Sequence, residues 1–369
     1  MTTKPRPIYV IVKAFSLFLL INLLYALIKP PVADISVYNT LVPGLERMPF
    51  GNSHDPYTVT MDNVDAMFAA HKISAKKASN EIRVALIGDS SVWGDSLSSH
   101  VTLAAQWNQL GMQCGGKQIK VYNLGYPHPS IIKDLIFIDE VKAKQPDVVI
   151  WFVTLNTLMN QDRLNPFLTG NSQRVLQMLD EYHIPFAPRE TLAESDAGFY
   201  QTTLMGQRSF LARWLRLQAL GLVWSAVGDD VHSPIKYSET PGSLDVIKDP
   251  NYRTLPPGSD LRESLLLTAL DAGHQLAGKA PLLMVNEPIF VATGMHSEIR
   301  YNDLYPRWAY DQYRELLAAQ ALSNSWAYLD LWNTIPLKDF IDTGLHLHPN
   351  GEKLLAEKLN PALLSMVCP

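Results

Sequence analysis

The strongest constraint on this chain is an unbroken apolar run, Val84-Ala85-Leu86-Ile87, that passes without a linker into Gly88-Asp89-Ser90. Consecutive apolar side chains without polar alternation suit a strand covered on both faces, as in a parallel sheet flanked by helices. Such sheets gather ligands beyond the carboxyl ends of their strands, and Ser90 would stand at that edge. Gly-Asp-Ser is also a good turn or helix-cap sequence, so the tripeptide acquires meaning only from features elsewhere.

From Ile82 onward, short apolar runs alternate with amphipathic segments. Strands are expected at Arg83–Ile87, Ile119–Leu124, Asp147–Leu155, Pro281–Val285 and Ala327–Leu331, giving an α/β fold with a parallel sheet between two helical layers. The first crossover helix would present Leu97, Val101, Ala104 and Leu110 and stop at Gly111. The second would be capped by Ser130, and a last helix would cover about 352–366. About 125 residues separate the third and fourth strands, more than a crossover needs, so an insertion is expected at about 163–261. Pro166, Pro185, Pro188, Pro234, Pro241, Pro250, Pro256 and Pro257 divide it into short pieces. Within it, Phe210 to Val227 combines Arg213, Arg216, Trp214 and Trp224 with aliphatics. This reads as a helix covering the main domain, with a resting place in a membrane interface as the alternative.

The chain has 369 residues, 47% of them apolar and 18% charged, which describes an ordered globular protein. Ile8 to Ile28 is interrupted only by Lys13, Ser16 and Asn22 and is long enough to cross a bilayer. Lys4, Arg6 and Lys13 lie on its amino side and no acid precedes Asp34, so the remainder is expected to face outward from a single-pass cell-membrane anchor. Lys29-Pro30-Pro31-Val32-Ala33 is a poor cleavage site, which favours an uncleaved anchor, residues 1–29. Residues 30–78 then read as a juxtamembrane stem acting as a spacer, with one short helix near Val64 to His71, and 79–369 as the main domain. Residues 1–29 hold four of the 31 basic residues and no acid, leaving 27 against 36, a net of −9. An acidic body argues against a nucleic-acid partner. Cys114 and Cys368 alone make no usual zinc site and are either a disulfide or two free thiols.

Three of the expected strands lead to Ser90, to Gly125 in Asn123-Leu124-Gly125-Tyr126, and to Asn156 in Thr154-Leu155-Asn156-Thr157, all at one edge. Backbone N–H groups and an asparagine amide suit an oxygen that becomes negative during acyl transfer to a serine. After the fifth strand, Asp342-Thr343-Gly344-Leu345-His346-Leu347-His348-Pro349-Asn350-Gly351 supplies a base and a carboxylate. An imidazole is what turns a serine hydroxyl into a nucleophile.

With those residues, about 80–160 and 280–369 resemble the SGNH (GDSL-type) hydrolase superfamily, whose four naming residues match Ser90, Gly125, Asn156 and a C-terminal histidine in order. The resemblance implies a flavodoxin-like sheet and an oxyanion hole from Ser90, Gly125 and Asn156. It implies His346 as base, five residues before Gly351, with His348 as its competitor. The family's aspartate usually stands three residues before the histidine. Here Thr343 holds that place and Asp342 stands four before, so either a one-residue bulge restores the geometry or a backbone carbonyl serves instead. Asp89 is expected to order the turn.

The resemblance further implies a serine esterase or O-acyltransferase acting on ester-linked acyl groups of cell-surface carbohydrate, sometimes beside a multispanning acyltransferase. No cofactor or metal is implied. A non-catalytic scaffold subunit of the cell envelope is the alternative. Arg300, Tyr301, Asn302, Tyr305, Arg307 and Trp308 either shape a sugar cleft or, by their ordinary use, pin a loop to the domain.

Overall fold

The computed structural model describes residues 6–51, 54–160, 164–195, 198–231 and 245–368. Lys4, Arg163, Pro234 and Pro241, which figured in the expectations above, lie outside them.

Six strands form one sheet: β1 (Glu81–Gly88), β2 (Gln113–Cys114), β3 (Lys117–Gly125), β4 (Val148–Val153), β5 (Leu282–Asn286) and β6 (Ala327–Asp330), in the order β2-β3-β1-β4-β5-β6. All neighbours pair in parallel except β2, a short antiparallel edge made where the chain turns back through Gly115 and Gly116. β2 is not among the expected strands, because two residues carry no periodicity. Its hairpin needs positive φ at both glycines, 55° and 77°. Without β2, the order is that of a flavodoxin-like doubly wound sheet, whose direction of winding reverses beside β1.

The two faces follow from period two. Val84, Leu86, Val121, Ile150 and Val285 point into one core with Trp107 and the C-terminal helix Pro349–Val367. Ala85, Ile87, Leu124, Trp151 and Met284 point into the other, under the helices Ile131–Val141, Thr268–Ala277 and Arg307–Ser323. Both faces are covered, as the apolar runs require.

Several boundaries differ from the expectations. The first crossover helix is only Leu103–Gln109, because Leu97 and Val101 lie in the turns leading to it. Leu155 belongs to the short helix Leu155–Leu158, which Thr154 caps by accepting from the N–H of Thr157 at 3.1 Å. Ser130 stands at the N-cap of its helix, but its side chain makes no capping bond.

The segment 30–78 is no free spacer. Met48, Met61, Val64, Phe68 and Ile73 are fully buried in the second core, and Arg83 is held between Glu81 and the carbonyls of Ile73 and Ala75. Within it, the Phe68 ring packs edge-on against Phe137 of the helix Ile131–Val141, and the Met61 carbonyl accepts from the Tyr126 hydroxyl at 2.9 Å. The helix Arg208–Val227 covers this segment rather than the sheet: Gly221 lies against the Tyr38 ring, and Trp224 donates to the Tyr57 carbonyl at 3.0 Å. Before all of this stands the helix Pro7–Ile28, long and apolar enough to cross a membrane. Cys114 and Cys368 form a disulfide that ties β2 to the end of the last helix, with a Cα–Cα distance of 5.8 Å.

Candidate active site

The site is built where β1 ends. Gly88 leads into Asp89, which caps the helix Ser90–Trp93 by accepting from the Ser91 N–H at 3.1 Å. Ser90 opens that helix, so no carbonyl within the helix receives its N–H. Asp89 therefore orders the turn, as expected.

Gly88 and Gly125 are paired in register, so β1 and β3 end flush. A Cβ on Gly125 would stand 2.2 Å from the Trp93 nitrogen and 2.7 Å from the Val92 carbonyl carbon. The glycine is needed because the backbone of the serine-bearing helix lies directly on it. Its N–H departs from the expectation of an open oxyanion donor. Asn123, itself buried, bends back and accepts that N–H at 3.0 Å.

Beneath the same turn, Lys133 is fully buried. Its ammonium donates to the carbonyls of Gly88 at 2.5 Å and Tyr126 at 3.2 Å, with its charge met by Asp134 at 2.7 Å. One cation thus fastens the ends of β1 and β3 together, and the sequence carried no signal for it beyond an unexpected lysine in an apolar helix.

The imidazole arrives from the loop before the last helix. His346 Nε2 lies 2.9 Å from Ser90 Oγ, and His346 Nδ1 lies 2.5 Å from Asp342 Oδ2. The four-residue spacing is accommodated without any backbone carbonyl as substitute. Asp342 Oδ1 accepts the N–H groups of Gly344, Leu345 and His346 at 2.8, 3.1 and 3.3 Å, winding the loop around the carboxylate so that the other oxygen meets the ring. His348 sits at the N-cap of the last helix, so the structure brings His346 to Ser90 and leaves its competitor outside the constellation.

Burial opposes ionisation of Asp342, but hydrogen bonding and charge from His346 and the loop N–H groups outweigh it and hold the carboxyl below its ordinary value. For His346, burial favours the neutral ring, and the bond and charge of Asp342, then Asp95 and Asp89, overcome it and raise the imidazole above 6.5. Glu287, just beyond β5, contacts Ser91 Oγ from behind. Complete burial, then the charge of Asp89, push it well above the usual carboxylate range.

Asn156 is the second residue of the helix that follows β4, the strand beside β1. Its Oδ1 accepts from the hydroxyl of Tyr252 at 2.6 Å, which leaves Nδ2 as the donating edge of the amide. Tyr252 was missed, since an isolated tyrosine in a proline-rich insertion has no pattern. The arginines and aromatics weighed for a sugar cleft explain how it is held. Arg300 is buried and donates to the carbonyls of Asp249 and Asn251, and Trp308 donates to that of Pro250. They pin the loop that carries Tyr252. Among the described residues, no group of three or more histidines, cysteines or acids is placed to hold a metal ion.

No family model and no curated protein matches the chain. Its fold is similar to solved structures of the lipolytic G-D-S-L, or SGNH, kind. One is a member of the lipolytic protein G-D-S-L family from Veillonella parvula, at 10% identity and TM-score 0.38, covering 76% of this chain and 96% of that one. Another is a carbohydrate acetylesterase family member from Sinorhizobium meliloti, at 11% identity and TM-score 0.33, covering 77% and 99%. A third is an aryl esterase from M. smegmatis, at 13% identity and TM-score 0.34, covering 77% and 99%.

Proposed function

We propose that this chain is a membrane-anchored, extracytoplasmic serine esterase or O-acyltransferase that acts on ester-linked acyl groups of cell-surface carbohydrate. The observation that carries the reading is the continuous relay from Ser90 Oγ through both nitrogens of His346 to Asp342. Ser90 Oγ attacks the ester carbonyl as His346 Nε2 takes its proton, and Asp342 fixes the tautomer and stabilises the imidazolium. The N–H of Ser90 and the Asn156 amide stabilise the oxyanion, joined by Gly125 once substrate displaces the Asn123 side chain. His346 then returns the proton to the leaving alcohol. Water or a sugar hydroxyl, activated in turn by His346, takes the acyl group from Ser90.

The anchor supports the location: Asn22 and Ala26 of the apolar helix are buried against the domain, a contact a removed leader would forfeit. A multispanning acyltransferase is the partner this arrangement suits, as the source of acyl groups. One observation favours the scaffold reading instead, the N–H of Gly125 being taken by Asn123. Turnover of p-nitrophenyl acetate by the full chain in detergent, compared with Ser90→Ala, separates the two. Serine-dependent turnover supports the enzyme, and equal rates leave the scaffold.

A further inference from the structure

The helix Arg208–Val227 is apolar on two sides. Its inner side, with Leu217, Gly221 and Trp224, packs on the segment 30–78. The outer side presents Ala212, Leu215, Ala219, Leu222, Val223 and Ala226, spaced at three, four and seven residues in a single stripe, and all six are exposed. Leu215 is 62% exposed. A helix apolar all round is normally buried all round. Nothing in the chain covers this stripe among the described residues.

What covers it is indicated by the segment that precedes it. Met205 donates its backbone N–H to Asn22 Oδ1 at 2.8 Å. Asn22 stands six residues before the end of the apolar helix at Ile28, about 9 Å along its axis. The turn Phe199–Met205 thus meets the anchor inside its apolar length, and Phe199, Tyr200 and Met205 are themselves exposed there. An asparagine in a membrane-spanning helix needs a polar partner, and a backbone donor at that depth needs an acceptor; each supplies the other's need. On the other side of the anchor's end, Ile35, Val37 and Leu41 are exposed and continue the patch: Gln218 accepts from the Val37 N–H at 2.6 Å, and Trp214 donates to the Ile35 carbonyl at 3.0 Å. The charges suit lipid headgroups. Arg208 and Arg216 flank the stripe, Lys29 closes the anchor, and the helix has no acidic residue.

We infer that the outer stripe of Arg208–Val227, with the turn Phe199–Met205, lies in the lipid interface as a second, monotopic membrane contact beside the anchor. This rests on the reading of Pro7–Ile28 as a membrane span. The contact gives the domain a second point on the bilayer, beside the packing of Asn22 and Ala26 against it. A cleft of about 810 Å³, lined in part by Tyr25, Lys29, Asp62, Arg174 and Arg213, opens between the anchor's end and this helix, at the level where headgroups would lie.

The test uses the full chain in liposomes of phosphatidylcholine and phosphatidylglycerol. An environment-sensitive fluorophore is placed on Leu215→Cys or Leu222→Cys, the native cysteines being paired. Leu20→Cys in the anchor and Leu322→Cys, 83% exposed at the end of a sheet-covering helix, serve as references. Nitroxide lipids labelled near the headgroup should quench positions 215 and 222 by at least about twofold, and lipids labelled deep in the acyl chain should quench position 20 more strongly. Position 322 should respond to aqueous iodide alone. The inference is overturned if positions 215 and 222 behave like 322 while position 20 is quenched. Shielding of 215 and 222 from both lipid and iodide overturns it too, since a protein then covers the stripe. Loss of quenching at position 20 instead refutes the anchor itself, and this inference with it.

Discussion

Gly125→Ala tests the site at its tightest point. The added methyl would lie 2.2 Å from the Trp93 nitrogen and 2.8 Å from the Trp93 Cα, so it meets backbone rather than a side chain that can rotate away. Restoring ordinary contact at about 3.4 Å requires the helix Ser90–Trp93 and β3 to separate by about 1.2 Å, which is 3.4 less 2.2. That helix carries Ser90, while His346 sits on a loop held by Asp342 and by the Phe290 N–H donating to the Gly344 carbonyl at 2.7 Å, which the added methyl does not touch. The 2.9 Å contact between Ser90 Oγ and His346 Nε2 should therefore open by about an ångström. A misplacement of that size costs about 100-fold in rate, and overpacking of this kind costs about 1–3 kcal/mol of stability. The assay pairs kcat on p-nitrophenyl acetate with urea unfolding. Gly198→Ala is the control, because a Cβ there meets nothing within 4 Å. A folded Gly125→Ala protein with kcat within about threefold of the parent would refute the argument that this contact sets the position of Ser90.

His346→Ala should abolish labelling of Ser90 by a fluorophosphonate, whereas His348→Ala should leave it intact; labelling that depends on His348 would reassign the base. With the neutral ring as the proposed base and Asp342 raising His346 above 6.5, kcat/KM should rise with pH through a value above 6.5. In Asp342→Asn, burial is left to act with the carboxylate's support removed, so that limb should move to lower pH while kcat falls by about 10⁴; an unmoved pH profile would show that Asp342 does not govern the ring. Lys133→Met leaves Asp134 buried and unpaired and should cost about 3–5 kcal/mol in urea unfolding. Adding Asp134→Leu should recover part of that stability but not kcat, because the carbonyls of Gly88 and Tyr126 remain unfastened.

What the sequence disclosed divides along a physical line. β1, β3, β4 and β5 were legible because strands buried on both faces read as short apolar runs. Ser90 and His346 were legible because their chemistry demands particular residue types at strand and helix ends. Asp342 was legible as a carboxylate, but its reach depended on a loop conformation that Asp342 itself organises through three N–H groups. Lys133, Tyr252 and Arg47 were not legible. Each acts through tertiary contacts, mostly between segments distant in sequence, and such contacts leave no period behind. The segment 30–78 reads as a spacer because polar stretches surround its one expected short helix, found at Val64–Ala70, whose burial under other segments is a tertiary property.

Arg47 shows why that misreading matters for the chemistry. Its guanidinium lies 3.8 Å from the centre of the Trp93 ring and donates to the Gly94 carbonyl at 2.9 Å, just past the end of the serine-bearing helix. The same group makes two hydrogen bonds to Asp230, at 2.7 and 2.8 Å, just after the helix Arg208–Val227. Trp93 in turn donates its indole N–H to the Met48 carbonyl at 2.7 Å. The helix that presents Ser90 is therefore gripped on one side by Gly125 and on the other by the segment that follows the helix Pro7–Ile28. The insertion closes that grip through Asp230 and, through Tyr252, also sets the Asn156 amide. Segments that look peripheral in sequence thus hold both the proposed nucleophile and one of its proposed oxyanion donors. The sheet alone therefore does not set the position of Ser90.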